Sequence, residues 1–217
     1  MSGRFESIFE REDTGIMQRI EIATVFIVVV GLLWLSVTIT EFVLWRSAVI
    51  LLLMAIFASI FWVVDLVAPK NIYTESIGFG KPMNALIGAI LGFGFACLFF
   101  FIGNINSFSL IVPFAVAGAI FALLASFVEE MVFRSILTPT SARLFQNDWM
   151  GAIIGIVAFG LFHFTVYGAS WELMIVAMIF GTVLLIGNTV IESTSFGYVA
   201  HFFYNFFVVF PLLLVIM

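Results

Sequence analysis

Long apolar runs separated by short polar connections make up most of the chain. A helix of roughly 20 apolar residues crosses the hydrocarbon core of a bilayer, so each run of about that length is a candidate membrane span. The pattern predicts about seven spans, placed at about 22–44, 47–67, 83–103, 109–137, 149–168, 171–191 and 196–217. The fourth run is longer than one crossing needs, and we expect it to tilt or to extend beyond the hydrocarbon.

The polar connections between these runs leave no room for a second domain. The longest are "APKNIYTESIGFGKP" after the second span and "TPTSARLFQND" after the fourth, and both are expected to be loops. Residues 1–21 are then a charged N-terminal head, and residues 22–217 form a single bundle. The predicted fold class is all-α, a polytopic transmembrane helical bundle of about seven spans, with eight as the alternative.

The third predicted span contains the glycine-rich stretch "GAILGFGFA". Small residues at helical spacing let two helix backbones approach closely inside a membrane. We therefore expect this stretch to be a helix-packing surface rather than a site of chemistry.

Composition supports a membrane protein and excludes several other classes. Hydrophobic residues make up 64% of the chain, charged residues 10%, and the mean hydropathy is +1.25, which is too apolar for a water-soluble domain. The sequence has no basic patch, so nucleic-acid binding is not expected. The single cysteine, Cys97, excludes both an intrachain disulfide and a cluster of thiolate metal ligands.

Basic residues in the connections fall mostly on one side of the predicted membrane. The side of the N-terminus carries Arg4, Arg11, Arg19, Lys70, Lys81 and Arg143. The opposite side carries Arg46. Because basic residues concentrate in cytoplasmic loops, a seven-span chain is expected to have a cytoplasmic N-terminus and an external C-terminus. An eighth span or a re-entrant helix would reverse the side of the C-terminus.

Few ionisable residues fall well inside the predicted spans, and these are the candidates for chemistry. They are Glu129, Glu130 and Arg134 in "FVEEMVFR", together with His163 and His201, the two histidines of the chain. Charged side chains at the centre of a bilayer cost roughly 2.5–3.5 kcal/mol each on insertion scales, so such residues usually serve a function.

The spacing of the first cluster separates its two glutamates. Residues four apart share a helix face, whereas adjacent residues point about 100° apart. Glu130 and Arg134 can therefore form an ion pair within their helix, and Glu129 has no such partner. An unpaired carboxylate is free to take up a proton and hand it on.

The other two clusters show the same spacing. Phe159 and His163 share one helix face, and His201 and Asn205 share another. A bundle can bring three such polar faces together around one cavity. Any one of these residues alone could simply join helices by a hydrogen bond, but that explanation fits the whole set less well.

These three pairs, in this order, resemble the motifs of the CPBP family of CAAX proteases and bacteriocin-processing enzymes, also called the Abi family, which includes the type II CAAX prenyl endopeptidase. The first motif is a Glu-Glu pair followed by three residues and Arg, here "EEMVFR" at 129–134. The second is Phe159 with His163, and the third is His201 with Asn205. The resemblance covers the chain from about residue 120 onwards, and Ser135 stands where a Gly often closes the first motif.

The resemblance implies an intramembrane glutamate-type peptidase whose catalytic core lies within about 109–217. Glu129 would be the general base that activates a water, and His163 would hold and polarise that water. His201 and Asn205 would donate hydrogen bonds to the oxyanion on the scissile carbonyl. Glu130 and Arg134 would orient the site or contact the substrate, with Phe159 in support. Neither a cofactor nor a metal is expected.

Three other functions stay open on the sequence. A zinc metalloprotease could use the two glutamates and two histidines, although the chain has no His-Glu-x-x-His helix and Glu130 already pairs with Arg134. Some relatives of the family act as membrane scaffolds or as immunity or regulatory proteins. A transporter would also bury Glu and His, but the chain shows no paired broken helices in corresponding halves.

The expected partners are the lipid bilayer and a membrane-embedded or lipidated peptide substrate. The compact size and short loops suit an integral protein of a prokaryotic cell membrane. Neither the oligomeric state nor prenylation of the substrate follows from the residues.

Overall fold

The computed structural model describes residues 31, 52–56, 59–60, 81–103, 111–166, 170–191, 193–211 and 214. Its α-helices are α1 (Pro82–Gly103), α2 (Ala115–Glu130), α3 (Thr138–Phe145), α4 (Asp148–Val166), α5 (Trp171–Ile191) and α6 (Thr194–Tyr204). A 3₁₀ turn (Val112–Phe114) precedes α2, and two π-helical segments, Met131–Leu137 and Asn205–Val209, follow α2 and α6. The described part of the chain contains no strand, which confirms the all-α prediction there.

Two of these helical stretches are long and apolar enough to cross a membrane. They are Ala115–Phe145, of 31 residues, and Trp171–Ile191, of 21 residues. Pro82–Leu98 and Asp148–Phe164 are apolar but shorter. The predicted spans at 22–44 and 47–67 and the head at 1–21 lie almost entirely outside the described residues. The count of about seven spans therefore stays a prediction.

The prediction of a loop at "TPTSARLFQND" was wrong, because most of this stretch is α3. The helix that begins at Ala115 runs on through the first π-helical segment to Phe145. Thr140, Ser141 and Ala142 are buried in α3, so its polar composition does not place it in solvent. This helix of 31 residues is longer than a bilayer crossing requires, and the tilt or extension expected for the fourth span stays a prediction.

Close packing of α1 against α6 fixes the helix that carries the last motif. A Cβ atom added at Gly88 would collide with the backbone of Phe196, and one added at Gly92 would collide with the backbone of Ala200. The two backbones approach this closely because both positions on α1 lack a side chain. The predicted role of "GAILGFGFA" as a packing surface is confirmed. The contact at Gly92 fixes the position of Ala200, the residue before His201.

The buried core lies between the first π-helical segment, α4, α5 and α6 and is rich in aromatic rings. Phe133 meets Phe159 edge to face at 5.4 Å, and Phe180 stacks on Tyr204 at 4.3 Å. Large apolar side chains also cover the outside, for example Ile90, at 65% exposed. An apolar exterior around a packed aromatic core suits a lipid surrounding.

Candidate active site

The three motifs meet inside the helical bundle, as the sequence predicts. Glu129 and Glu130 end α2, His163 lies near the end of α4, and His201 lies in α6. All four side chains are buried, with 4%, 2%, 1% and 0% of their surfaces exposed. Burial of this many ionisable groups in one place costs free energy unless the groups are paired with one another or take part in a reaction.

Glu129 stands at the centre of the site, between the two imidazoles. Its Oε2 atom lies 3.4 Å from Nε2 of His163 and 3.2 Å from Nε2 of His201. Glu129 thus meets both histidines across helix interfaces, although it has no partner within α2 among the described contacts. Glu129 Oε2 and His201 Nε2 are buried without a hydrogen-bond partner in the described part of the chain. Unsatisfied buried polar atoms of this kind often mark reactive sites.

The contact at Nδ1 of each imidazole fixes the orientation of the ring. Nδ1 of His163 lies 2.9 Å from the carbonyl oxygen of Phe159, which can only accept, so this nitrogen carries a hydrogen. Nδ1 of His201 lies 2.9 Å from Oε1 of Glu130 and donates to that carboxylate. Both rings therefore present Nε2 to Glu129 Oε2. Three atoms with lone pairs converge there, an arrangement that suits a bound water or a divalent cation.

Glu130 is the supporting carboxylate of the pair. Its Oε1 atom accepts from His201 and lies 3.6 Å from Nε of Arg134, so the predicted ion pair with Arg134 is present. Its Oε2 atom accepts a 3.4 Å hydrogen bond from Nδ2 of Asn188. The two glutamates thus differ as the spacing predicted, since within the described residues Glu130 is engaged by Arg134, His201 and Asn188 and Glu129 by the two imidazoles.

Arg134 joins the first motif to the second. Its guanidinium carbon lies 4.0 Å from the centre of the Phe159 ring, and Nη2 donates to the carbonyl oxygen of Gly181 at 3.4 Å. The Phe159 ring in turn lies 4.2 Å from the imidazole of His163. The Phe159 ring therefore contacts both a buried cation and a histidine of the site.

Asn205 begins the second π-helical segment and is held by a residue that the sequence did not single out. Its Nδ2 atom donates to Oγ of Ser126 at 3.1 Å, and both side chains are buried. Oδ1 of Asn205 has no hydrogen-bond partner among the described residues. Ser126 lies one turn before Glu129 and Glu130 on α2, and that spacing is the signal that could have found it.

Asn188 is the second residue that sequence reasoning left unassigned. It lies on α5, half-buried, and contacts Glu130 and the start of α6. From the sequence, Asn188 could have been a packing residue or a residue of the same cavity. Only the packing of α5 against α2 and α6 reveals its contact with Glu130.

Two π-helical segments adjoin the site. One begins directly after Glu130, and the other begins at Asn205. The first ends before Pro139, which has no N–H to donate and needs space near the preceding turn. Wider turns of this type often occur at functional sites, and here they alter the direction of side chains on both helices.

A metal ion could also be held at this centre. One atom each from Glu129, His163 and His201 lies within 4.8 Å of the other two. In metal sites a ligating histidine usually donates its other nitrogen to a carbonyl or a carboxylate, and both histidines do so here. The donor set therefore fits a divalent cation as well as a water.

The fold and the site together define an apolar helical protein with a buried centre of carboxylates and imidazoles. Residues 111–207 match the model of a protein family described as "Rce1-like: Type II CAAX prenyl endopeptidase Rce1-like". The part of the chain that carries all three motifs is thus similar to this family of membrane proteases, and the family resemblance of the motifs is confirmed. No curated protein and no solved structure matches the chain.

Proposed function

We propose that this protein is an intramembrane endopeptidase that hydrolyses a peptide bond in a membrane-embedded or lipidated peptide. One observation carries the proposal: the buried Glu129 carboxylate meets the Nε2 atoms of two histidines at 3.2 and 3.4 Å. The family match supports proteolysis as the reaction, and the prenyl endopeptidase in its description supports a lipidated peptide as the substrate.

In the proposed reaction, Glu129 takes a proton from a water as the water oxygen attacks the scissile carbonyl carbon. His163 holds and polarises this water through Nε2, which is directed at Glu129 Oε2 by the bond from Nδ1 to the Phe159 carbonyl. The carbonyl oxygen becomes an oxyanion. The tetrahedral intermediate then collapses, the C–N bond breaks, and the leaving amine takes the proton from Glu129.

Asn205 and His201 are the proposed donors to the oxyanion. The Nδ2 group of Asn205 has two hydrogens, and the bond to Ser126 uses one of them. His201 can donate through Nε2 only when both of its nitrogens carry a hydrogen, since Nδ1 faces Glu130. A donor of this kind contributes about 2.7–4 kcal/mol to transition-state stabilisation.

A direct test uses purified protein in liposomes and a panel of peptides, half of them farnesylated at a cysteine near the C-terminus and half unmodified membrane-spanning segments. Mass spectrometry identifies the cleaved bond. We expect wild-type protein to cleave a member of the panel, and we expect Glu129→Gln and His163→Gln to leave it intact while their thermal unfolding stays near wild type. Cleavage at the wild-type rate by Glu129→Gln would overturn the proposed mechanism.

A zinc-dependent peptidase is the second candidate, and a specific observation favours it. Zinc bonds of about 2.0–2.1 Å in tetrahedral geometry place neighbouring ligand atoms about 3.3–3.4 Å apart. The distances from Glu129 to His163 and His201 are 3.4 and 3.2 Å, close to that spacing. Metal analysis and chelation separate the candidates: activity that survives complete metal removal excludes zinc, and activity restored only by added Zn²⁺ excludes the glutamate mechanism.

A further inference from the structure

Asn188 makes three hydrogen bonds, and two of them join α5 to α2 and α6, two of the three helices that carry the site. Its backbone carbonyl accepts from Ser193 at 3.2 Å, beyond the end of α5. Its side-chain Oδ1 accepts from the backbone N–H of Gly197 at 2.8 Å, in the first turn of α6. Its side-chain Nδ2 donates to Glu130 Oε2 at 3.4 Å, at the end of α2.

The partners of the amide fix which of its atoms faces which helix. The Gly197 N–H can only donate, so it selects Oδ1. The Glu130 carboxylate accepts, so it selects Nδ2. A 180° rotation of the Asn188 side-chain amide would break both contacts. The two contacts therefore determine its orientation.

The contact with Gly197 holds α6 one helical turn before His201. Gly197 and His201 are four residues apart and so share a face of α6. A Cβ atom at residue 197 would lie 2.5 Å from both Nδ2 and Oδ1 of Asn188, so only glycine admits this amide. The amide of Asn188 thus sets how far α6 stands from α5 at the level of the site.

The contact with Glu130 affects His201 at the Nδ1 atom of its ring. With Oε2 of Glu130 held by Asn188, Oε1 is the oxygen that receives Nδ1 of His201 at 2.9 Å. His201 in turn presents Nε2 to Glu129 at 3.2 Å. A chain of contacts therefore runs from Asn188 through Glu130 and His201 to the proposed general base.

We propose that Asn188 is a positioning residue of the peptidase: by holding Glu130 and Gly197 at once, it keeps the His201 imidazole in the tautomer and orientation that present Nε2 to Glu129. The inference rests on the proposed function. In this proposal Asn188 acts on the reaction through Glu130 and Gly197 and not by contact with the reacting atoms.

Two substitutions separate the two contacts of the amide. Asn188→Asp keeps an acceptor for the Gly197 N–H but places a second carboxylate against Glu130, so it replaces the Glu130 contact by repulsion and leaves the Gly197 contact in place. Asn188→Ala removes both. The matched control is Thr189→Ala, because Thr189 is exposed and its hydroxyl donates only to the Leu185 carbonyl in its own helix.

The tautomer of His201 gives a readout that is independent of activity. The chain has two histidines, so ¹⁵N-histidine labelling in lipid nanodiscs reports on His163 and His201 alone. In wild type and Thr189→Ala we expect both rings to carry hydrogen at Nδ1. In Asn188→Asp and Asn188→Ala we expect His201 to become a mixture of tautomers, while His163 keeps its bond to Phe159 and does not change.

The kinetic readout is the cleavage of the peptide that wild-type protein accepts. We expect kcat to fall about 10- to 100-fold in Asn188→Asp, as for other residues that orient a catalytic group, with KM within about twofold. A wild-type His201 signal in Asn188→Asp overturns the inference, and so does equal perturbation of both histidines or unfolding of both variants, which would make Asn188 purely structural. If His201 changes as expected but wild-type protein cleaves nothing, the proposed function fails and the positioning contact stands.

Discussion

The two adjacent glutamates occupy different environments although they are the same residue type. Glu130 is engaged by Arg134, His201 and Asn188, whereas Glu129 faces the Nε2 atoms of two imidazoles. The difference follows from the rotation of about 100° between neighbouring positions on a helix. One turn of helix thus supplies both a supporting carboxylate and the proposed base.

Ser126 gives a residue-scale test of how Asn205 is held. Ser126→Ala removes the acceptor of the 3.1 Å bond from Asn205 Nδ2 and lets the amide rotate. We expect kcat to fall about tenfold, less than the 10²- to 10³-fold loss usual when an oxyanion donor is deleted, as in Asn205→Ala. Steady-state cleavage of the accepted peptide measures both variants.

The double variant Ser126→Ala with Asn205→Ala serves as the control for this prediction. Because Ser126 acts through Asn205, the double variant should be no slower than Asn205→Ala alone. Losses that multiply instead would show that Ser126 contributes to the reaction by another route.

At the scale of helices, the site depends on how closely α1 packs against α6. Gly92→Ala would place a methyl group against the backbone of Ala200, next to His201. We expect a loss of stability of about 1–3 kcal/mol, typical of overpacked helix contacts, together with reduced cleavage. Thermal unfolding in detergent measures the first effect and the peptide assay the second.

Gly94→Ala is the matched control on the same helix. A Cβ atom at residue 94 would meet no atom of the described residues within 4 Å, so this variant should unfold at or slightly above the wild-type temperature, since alanine favours the helix. Equal destabilisation by the two substitutions would contradict the assigned α1–α6 contact.

The three polar faces could be predicted from the sequence because residues four apart on a helix are neighbours whatever the rest of the fold does. The contacts of Ser126 and Asn188 could not, since each depends on how two helices pack. Helix α3 was missed because Thr, Pro, Ser and Asn usually indicate a loop, whereas here Pro139 occupies the first turn of α3 and Thr138 donates to the Phe133 carbonyl. A π-helical segment has no characteristic hydrophobic pattern, so neither segment could be predicted from the sequence.

At the scale of the whole molecule, the predicted topology places the N-terminus in the cytoplasm and, with seven spans, the C-terminus outside. The test starts from Cys97→Ser, which removes the single cysteine. We expect a cysteine at position 3 to react with a membrane-impermeant maleimide only after the cells are permeabilised, and one at position 217 to react in intact cells. Protection of both positions in intact cells would indicate an even number of spans.

The described part of the molecule combines an apolar exterior, a close α1–α6 contact and a buried centre of carboxylates and imidazoles. Such a centre excludes bulk water, and in the proposed reaction it brings the base and the hydrogen-bond donors together before the substrate binds. In the proposed reaction the Glu129 carboxylate drives peptide hydrolysis without a metal.

The most direct measurement compares initial cleavage rates of metal-depleted wild-type and metal-depleted Glu129→Gln protein in liposomes, with thermal unfolding recorded for both. The proposal predicts full activity for the wild type and no cleavage above background for Glu129→Gln, at similar unfolding temperatures. Undiminished cleavage by Glu129→Gln, or a wild type that is inactive until Zn²⁺ is returned, would contradict it.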